Sequence, residues 1–194
     1  MQGAGITTTD LACRRGDRLL FRGLSLNVGA GEALHITGAN GIGKSSLLRI
    51  LAGLLSPFAG DVESKGAIAL LDERPALDLD APLGKALGFW ESVDGCIDPS
   101  TALEVLELEP LLDVPVRYLS TGQRKRAAMA SILNRGAPIW LLDEPLSGLD
   151  TAAQAKLASL IQLHVGCGGV CVLASHQPVA VDGLKSLELA EFTP

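Results

Sequence analysis

The sequence predicts an α/β fold built on a parallel sheet, and three observations carry that prediction. Short apolar runs occur at Ala33–Thr37, Ala67–Leu71, Ile139–Leu142 and Gly169–Ala174, bounded by Gly, Pro, Ser or acidic residues. Helical periodicity lies between several of them, the alternation expected when crossover helices cover both faces of a parallel sheet. Hydrophobic residues make up 47% of the 194 and charged residues 20%, enough aliphatic sequence for strands buried on two sides.

The elements follow in chain order. Asp17–Val28 has apolar residues at Leu19, Leu20, Phe21, Leu24, Leu26 and Val28 around Gly23. It reads as two short strands joined by a turn, an antiparallel N-terminal β edge ahead of the core. Ala33–Thr37 is the first core strand, and Ser45–Leu55 continues as a helix with Leu47, Leu48, Ile50, Leu51 and Leu54 on one side. After the strand at Ala67–Leu71 the pattern becomes Pro-punctuated, acidic and helix-prone from about residue 75 to 116. Thr101–Leu112 reads there as a helix through Leu103, Val105, Leu106, Leu108, Leu111 and Leu112. The region 75–116 is expected to be a small helical subdomain inserted into one domain spanning 1–194. Ser120 and Gln123 stand at the spacing of a capping box, which opens another helix before the strand at Ile139.

Composition narrows the function. A net charge of −6 and a pI near 5.0 supply no global attraction to nucleic acid or anionic lipid, so no nucleic-acid partner is expected. No run reaches the roughly 20 apolar residues that span a bilayer, and the first ten residues lack the basic and apolar parts of a signal peptide. A cytosolic protein is expected. Cys13, Cys96, Cys167 and Cys171 lack zinc-ligand spacing with histidine and read as reduced thiols.

The most specific local pattern is Gly38-Ala39-Asn40-Gly41-Ile42-Gly43-Lys44-Ser45, a G-x-x-x-x-G-K-[ST] loop between a strand and a helix. Its glycines let successive N–H groups converge on phosphate oxygens, and the helix N-terminus adds its positive dipole end. Lys44 is positioned for the β- and γ-phosphates and Ser45 for Mg²⁺, while Ser46 follows among the nucleotide contacts. A Gly-rich turn alone is the bland alternative, and the strand and helix flanks argue against it. At 99 positions beyond Lys44, the apolar run from Ile139 ends in Asp143 and Glu144 at the edge of the sheet where α/β proteins bind ligands. Asp143 is the candidate for Mg²⁺ and Glu144 for polarising the attacking water, a pair that points to hydrolysis rather than binding alone.

Leu119-Ser120-Thr121-Gly122-Gln123, followed by Arg124-Lys125-Arg126, resembles the signature motif of ABC ATPases. Ser147-Gly148-Leu149-Asp150 resembles their D-loop, and His176, after the strand at Gly169–Ala174, resembles their switch histidine. A lone histidine is usually structural, but this one follows four motifs in order. The resemblance covers essentially the whole chain. It implies a P-loop NTPase (RecA-like) core, ATP hydrolysis with Mg²⁺, and a homodimer in which Ser120, Thr121, Gly122 and Gln123 of one subunit meet the γ-phosphate held by the other. In that reading Glu144 and His176 are catalytic, and the D-loop crosses the dimer interface.

The sequence from Leu11 to Phe21, the compact length and Phe89-Trp90 look more narrowly like the ATP-binding subunit of the cytochrome c maturation haem exporter. This resemblance implies integral membrane permease partners, an indirect link to a periplasmic haem chaperone, and a peripheral location on the cytoplasmic face of the bacterial inner membrane. An ATPase of another exporter, for lipoproteins or drugs, stays open because membrane subunits choose the cargo. A P-loop kinase has no need of the signature, D-loop and switch histidine. The nontransport ABC ATPases carry coiled-coil insertions or tandem cassettes that do not fit this length. Three departures stand out: Glu73 and Arg74 occupy the place of the Q-loop glutamine, Arg15 that of the adenine-stacking aromatic, and Thr121 that of the first signature glycine.

Overall fold

The computed structural model of the chain describes residues 3–72, 76–94 and 99–194. Two sheets form the framework. β1 (Gly5–Arg15), β2 (Arg18–Gly29) and β4 (Ala59–Lys65) make an antiparallel sheet in the order β2-β1-β4. β5 (Ile68–Leu71), β6 (Ile139–Asp143), β7 (Val170–Ala174), β3 (Ala33–Thr37) and β8 (Lys185–Glu188) make a parallel sheet in the order β5-β6-β7-β3-β8. The α/β architecture expected from the apolar runs is therefore present, with an antiparallel sheet at the N-terminal side.

The first hairpin differs from expectation. Residues 17–28 do not fold back on themselves; β2 is one strand, and its partner is the polar opening of the chain. The reversal lies at Gly16 and Asp17, between the paired residues Arg15 and Arg18. Gly23, at φ 70°, forms a bulge instead of a turn. Between the pairs Leu11↔Leu24 and Cys13↔Phe21, β2 advances three residues against two on β1, and glycine absorbs the extra residue.

The pleat sorts the parallel strands into two cores. Trp140 and Leu142 of β6 and Cys171 and Leu173 of β7 face one cluster; Ile139, Leu141, Val170, Val172 and Ala174 face the other. The first cluster is closed by α2 (Leu83–Asp94), α3 (Pro99–Val105), α4 (Thr121–Arg135) and α5 (Thr151–Gly166). The second is closed by α1 (Lys44–Leu51) and the antiparallel sheet, through Ile6, Leu11 and Phe21. Helices thus cover one face and a helix with a second sheet the other, as a two-sided parallel sheet requires.

The helix expected over Thr101–Leu112 is shorter. α3 ends at Val105, and Glu107 takes the left-handed φ of 53°. Leu108 N–H donates to the Leu103 carbonyl at 2.9 Å and Glu107 N–H to that of Glu104 at 3.1 Å, the two bonds of a Schellman cap. Pro110 cannot continue a helix, and Glu107, although not glycine, is held by Lys156 at 2.7 Å and Arg126 at 3.5 Å. Among the described residues no helix is long and apolar enough to cross a membrane. Cys13, Cys167 and Cys171 are free thiols, whereas Cys96 lies outside the described residues.

Candidate functional site

β3 delivers the chain into the phosphate loop at the carboxyl edge of the parallel sheet. Gly38, Gly41 and Gly43 take φ of 139°, 77° and 124°, values that side-chain-bearing residues rarely adopt. A Cβ at Gly43 would stand 3.3 Å from both the Leu20 side chain and the Phe21 ring, so glycine also lets β2 close against the loop. Ile42 N–H donates to the Ala39 carbonyl at 3.3 Å, folding the loop over. α1 then begins with no side-chain cap on its first N–H groups, which leaves them to an anion. Lys44 is buried, and its Nζ donates to the carbonyls of Gly38 at 2.7 Å and Ala39 at 3.2 Å. Its charge is thus held across the loop.

The acidic pair lies opposite. Asp143, the last residue of β6, is buried, and its Oδ1 has no hydrogen-bond partner. Burial pushes its carboxyl above the usual carboxylate range, opposed chiefly by the Ser45 hydroxyl; Asp72 and Glu144 push the same way as burial, and Lys125 opposes them. Lys125 is also buried and donates to the Asp143 carbonyl at 3.5 Å. Glu144 has a left-handed φ of 45°, with its N–H anchored to the Ala174 carbonyl at 2.8 Å. Its Oε2 lies 2.8 Å from Nδ1 of His176, which follows β7. With Glu144 ionised, the imidazole Nδ1–H is the donor.

These groups share one cleft of about 730 Å³, lined by Asn40, Gly41, Gly43, Lys44, Ser45 and Ser46 on one side. Asp143, Glu144, Ser147 and His176 line the other side, with Thr121, Arg124, Lys125 and Leu20 completing the wall. A carboxylate hydrogen-bonded to an imidazole beside a phosphate loop can hold and polarise a water molecule. The unpartnered oxygen of Asp143 beside Ser45 suits a hard divalent cation.

Not every expected residue comes to this cleft. Ser120, Gly122, Gln123, Gly148, Leu149 and Asp150 line a second one of about 330 Å³. Ser120 Oγ accepts from Gln123 N–H at 3.2 Å and the Gln123 side chain accepts from Ser120 N–H at 2.8 Å, a complete capping box on α4. Asp150 caps α5 by accepting from Ala153 N–H at 2.8 Å. The two helix starts touch: a Cβ on Gly122 would lie 2.6 Å from the Gly148 carbonyl oxygen. Arg15 ends β1 exposed and is absent from the lining of the first cleft. Glu73 and Arg74 lie outside the described residues. Sequence reasoning passed over Leu20, one apolar residue among six on its strand, and over Lys125, whose burial no spacing announces.

The comparisons with known proteins show the family and the fold. The ABC transporter family profile matches residues 21–147. The cytochrome c biogenesis ATP-binding export protein CcmA of Novosphingobium aromaticivorans is 58% identical over 194 residues, covering all of both chains. Its namesake from Zymomonas mobilis is 50% identical over 190 residues, covering 97% of this chain and 86% of that one. A Pyrococcus furiosus chain described as an ABC transporter ATP-binding protein superposes with a TM-score of 0.83 over 98% of this chain and 100% of its own, and at 22% identity it speaks for the fold. With the loop, acidic strand end and imidazole in one cleft, the chain belongs to the ABC transporter ATP-binding family and, within it, to the cytochrome c biogenesis ATP-binding export proteins.

Proposed function

We propose that this chain is the ATP-hydrolysing subunit of a cytochrome c biogenesis exporter, acting as a homodimer that clamps two ATP molecules, with haem delivery or release of a haem-loaded chaperone as the work done. The observation that carries the reading is the Glu144–His176 pair, 2.8 Å apart in the same cleft as the phosphate loop. The N–H groups from Gly38 to Ser46 cradle the phosphates, and Lys44 exchanges its two carbonyl acceptors for phosphate oxygens. Glu144 takes the role of general base toward water, and His176 orients that carboxylate and reaches the γ-phosphate. Ser45 and Asp143 would hold Mg²⁺, which when bound would supply positive charge against the phosphates. Arg15 remains the candidate on the adenine side.

The second cleft supports a paired arrangement. Ser120, Thr121, Gly122 and Gln123 at the capped start of α4, with Ser147, Gly148, Leu149 and Asp150, form the surface offered to the partner subunit's nucleotide. Thr121 and Ser147 reach the first cleft, whereas Ser120, Gly122, Gln123, Gly148, Leu149 and Asp150 line the second, away from the phosphate loop, and that placement is what supports this reading. The exposed side chains Leu79, Phe89 and Val93, on and beside α2, favour docking to integral membrane permease subunits at the inner face of the cell membrane.

Measured with Mg²⁺ and with the co-purified membrane partner, Glu144→Gln should lower ATP turnover roughly 10²–10⁴-fold while trapping an ATP-bound dimer detectable by light scattering. Undiminished turnover in the variant rejects Glu144 as base. Failure of the wild type to bind ATP rejects the whole reading.

A further inference from the structure

His35 lies in the middle of β3, three positions before the phosphate loop, and is 8% exposed. Its Nε2 is 3.0 Å from the carbonyl oxygen of Ser175. A carbonyl only accepts, so the ring donates and Nε2 carries the proton. The sheet explains why a side chain is needed there. β3 and β7 are in register as far as Ile36↔Ala174, and Ser175 N–H still reaches the Ile36 carbonyl at 3.4 Å. At Gly38 the chain swings into the loop with φ 139°, and among the described residues no backbone N–H from that side takes the next ladder position on the Ser175 carbonyl. Ser175 is 1% exposed, and the imidazole supplies the donor that the ladder would otherwise provide.

That carbonyl belongs to the planar peptide joining Ser175 to His176. Holding its oxygen fixes the plane from which the His176 side chain projects toward Glu144. On the other side, Gln177 N–H donates to Ser175 Oγ at 2.9 Å, so the turn is secured at two points. We propose that His35 is a positioning residue for ATP hydrolysis: its Nε2–H ties the strand that carries the phosphate loop to the peptide that aims His176. The inference rests on reading Glu144 and His176 as the hydrolytic pair.

The test compares wild type, His35→Gln and His35→Leu in the full chain co-purified with its membrane partner, measuring kcat and KM for ATP. Glutamine keeps an N–H donor of similar reach, whereas leucine removes it. His35→Leu should lose roughly tenfold in kcat with KM within about twofold, and His35→Gln should keep most of the wild-type kcat. Equal losses in both variants, or a change confined to KM, overturn the inference. Ring-¹⁵N spectra of the wild type, which depend on no variant folding, should show His35 as the Nε2–H tautomer; the Nδ1–H tautomer overturns it as well. Glu144→Gln run alongside separates the two failures. If that variant still hydrolyses ATP, the hydrolytic pair itself is misassigned. If it is inactive while His35→Leu matches wild type, the role of His35 alone is lost.

Discussion

At Trp140 the indole lies flat on the His164 imidazole, with centroids 3.8 Å apart and planes within 6°. The fit is close enough that a Cβ on Gly169 would stand 2.4 Å from the ring. Burial holds the His164 pKa below its usual value of 6.5, against the opposing pull of the Val170 and Pro138 carbonyls. The folded protein therefore prefers the neutral ring. Its contribution to stability is fully present above pH 6.5 and is lost as pH falls through the depressed folded value. His164→Phe keeps a stacking ring that cannot take a proton, so its Tm should fall less than that of the wild type between about pH 7 and pH 5. Parallel slopes would remove His164 from the acid response. Lys44, Asp143 and Glu144 were legible in the sequence because fixed spacings relative to a strand end place them. Leu20 and His35 were not, since their roles depend on which strand lies beside which.

Among the elements, α4 and α5 show how much rests on two glycines. With a Cβ at Gly122 only 2.6 Å from the Gly148 carbonyl oxygen, Gly122→Ala forces a backbone shift between the helix starts. Overpacking of this kind costs about 1–3 kcal/mol. ATP affinity should change less than about twofold, because the phosphate loop is untouched, while hydrolysis falls at least roughly tenfold through the displaced neighbour-facing surface. Equilibrium nucleotide binding beside turnover decides this, and a matching loss of both would refute it. The elements differed in legibility for similar reasons. The buried parallel strands announce themselves as apolar runs, and the α4 start as a capping box. β1 was hidden because Thr7-Thr8-Thr9-Asp10 is polar, although Thr8 is buried and its hydroxyl donates to the Leu24 carbonyl at 3.1 Å. β4 and β8 carry mostly exposed side chains, so no hydrophobic period marks them. The end of α3 at a left-handed glutamate is set by Lys156 and Arg126, distant in sequence.

Across the whole molecule, most of the signature and D-loop residues line a cleft other than the one that holds the phosphate loop. In the two-fold pair proposed above, each composite site takes its phosphate loop from one subunit and its signature from the other. Chains carrying Lys44→Ala and chains carrying Ser120→Ala should each be inactive as homodimers. Mixed and re-equilibrated, half the dimers are hybrids with one of two sites intact, so turnover should return to at most about a quarter of wild type. No recovery on mixing, with hybrids confirmed by tagged pull-down, counts against the paired arrangement. One further feature bears on how such a protein changes over generations. Glu144 occupies a left-handed backbone that costs a side chain of its kind about 1–2 kcal/mol and that glycine or asparagine accepts more readily. Lineages chosen for heat resistance alone would therefore drift away from glutamate at that position and, with Glu144 as the base proposed above, the sturdiest descendant would be an idle one.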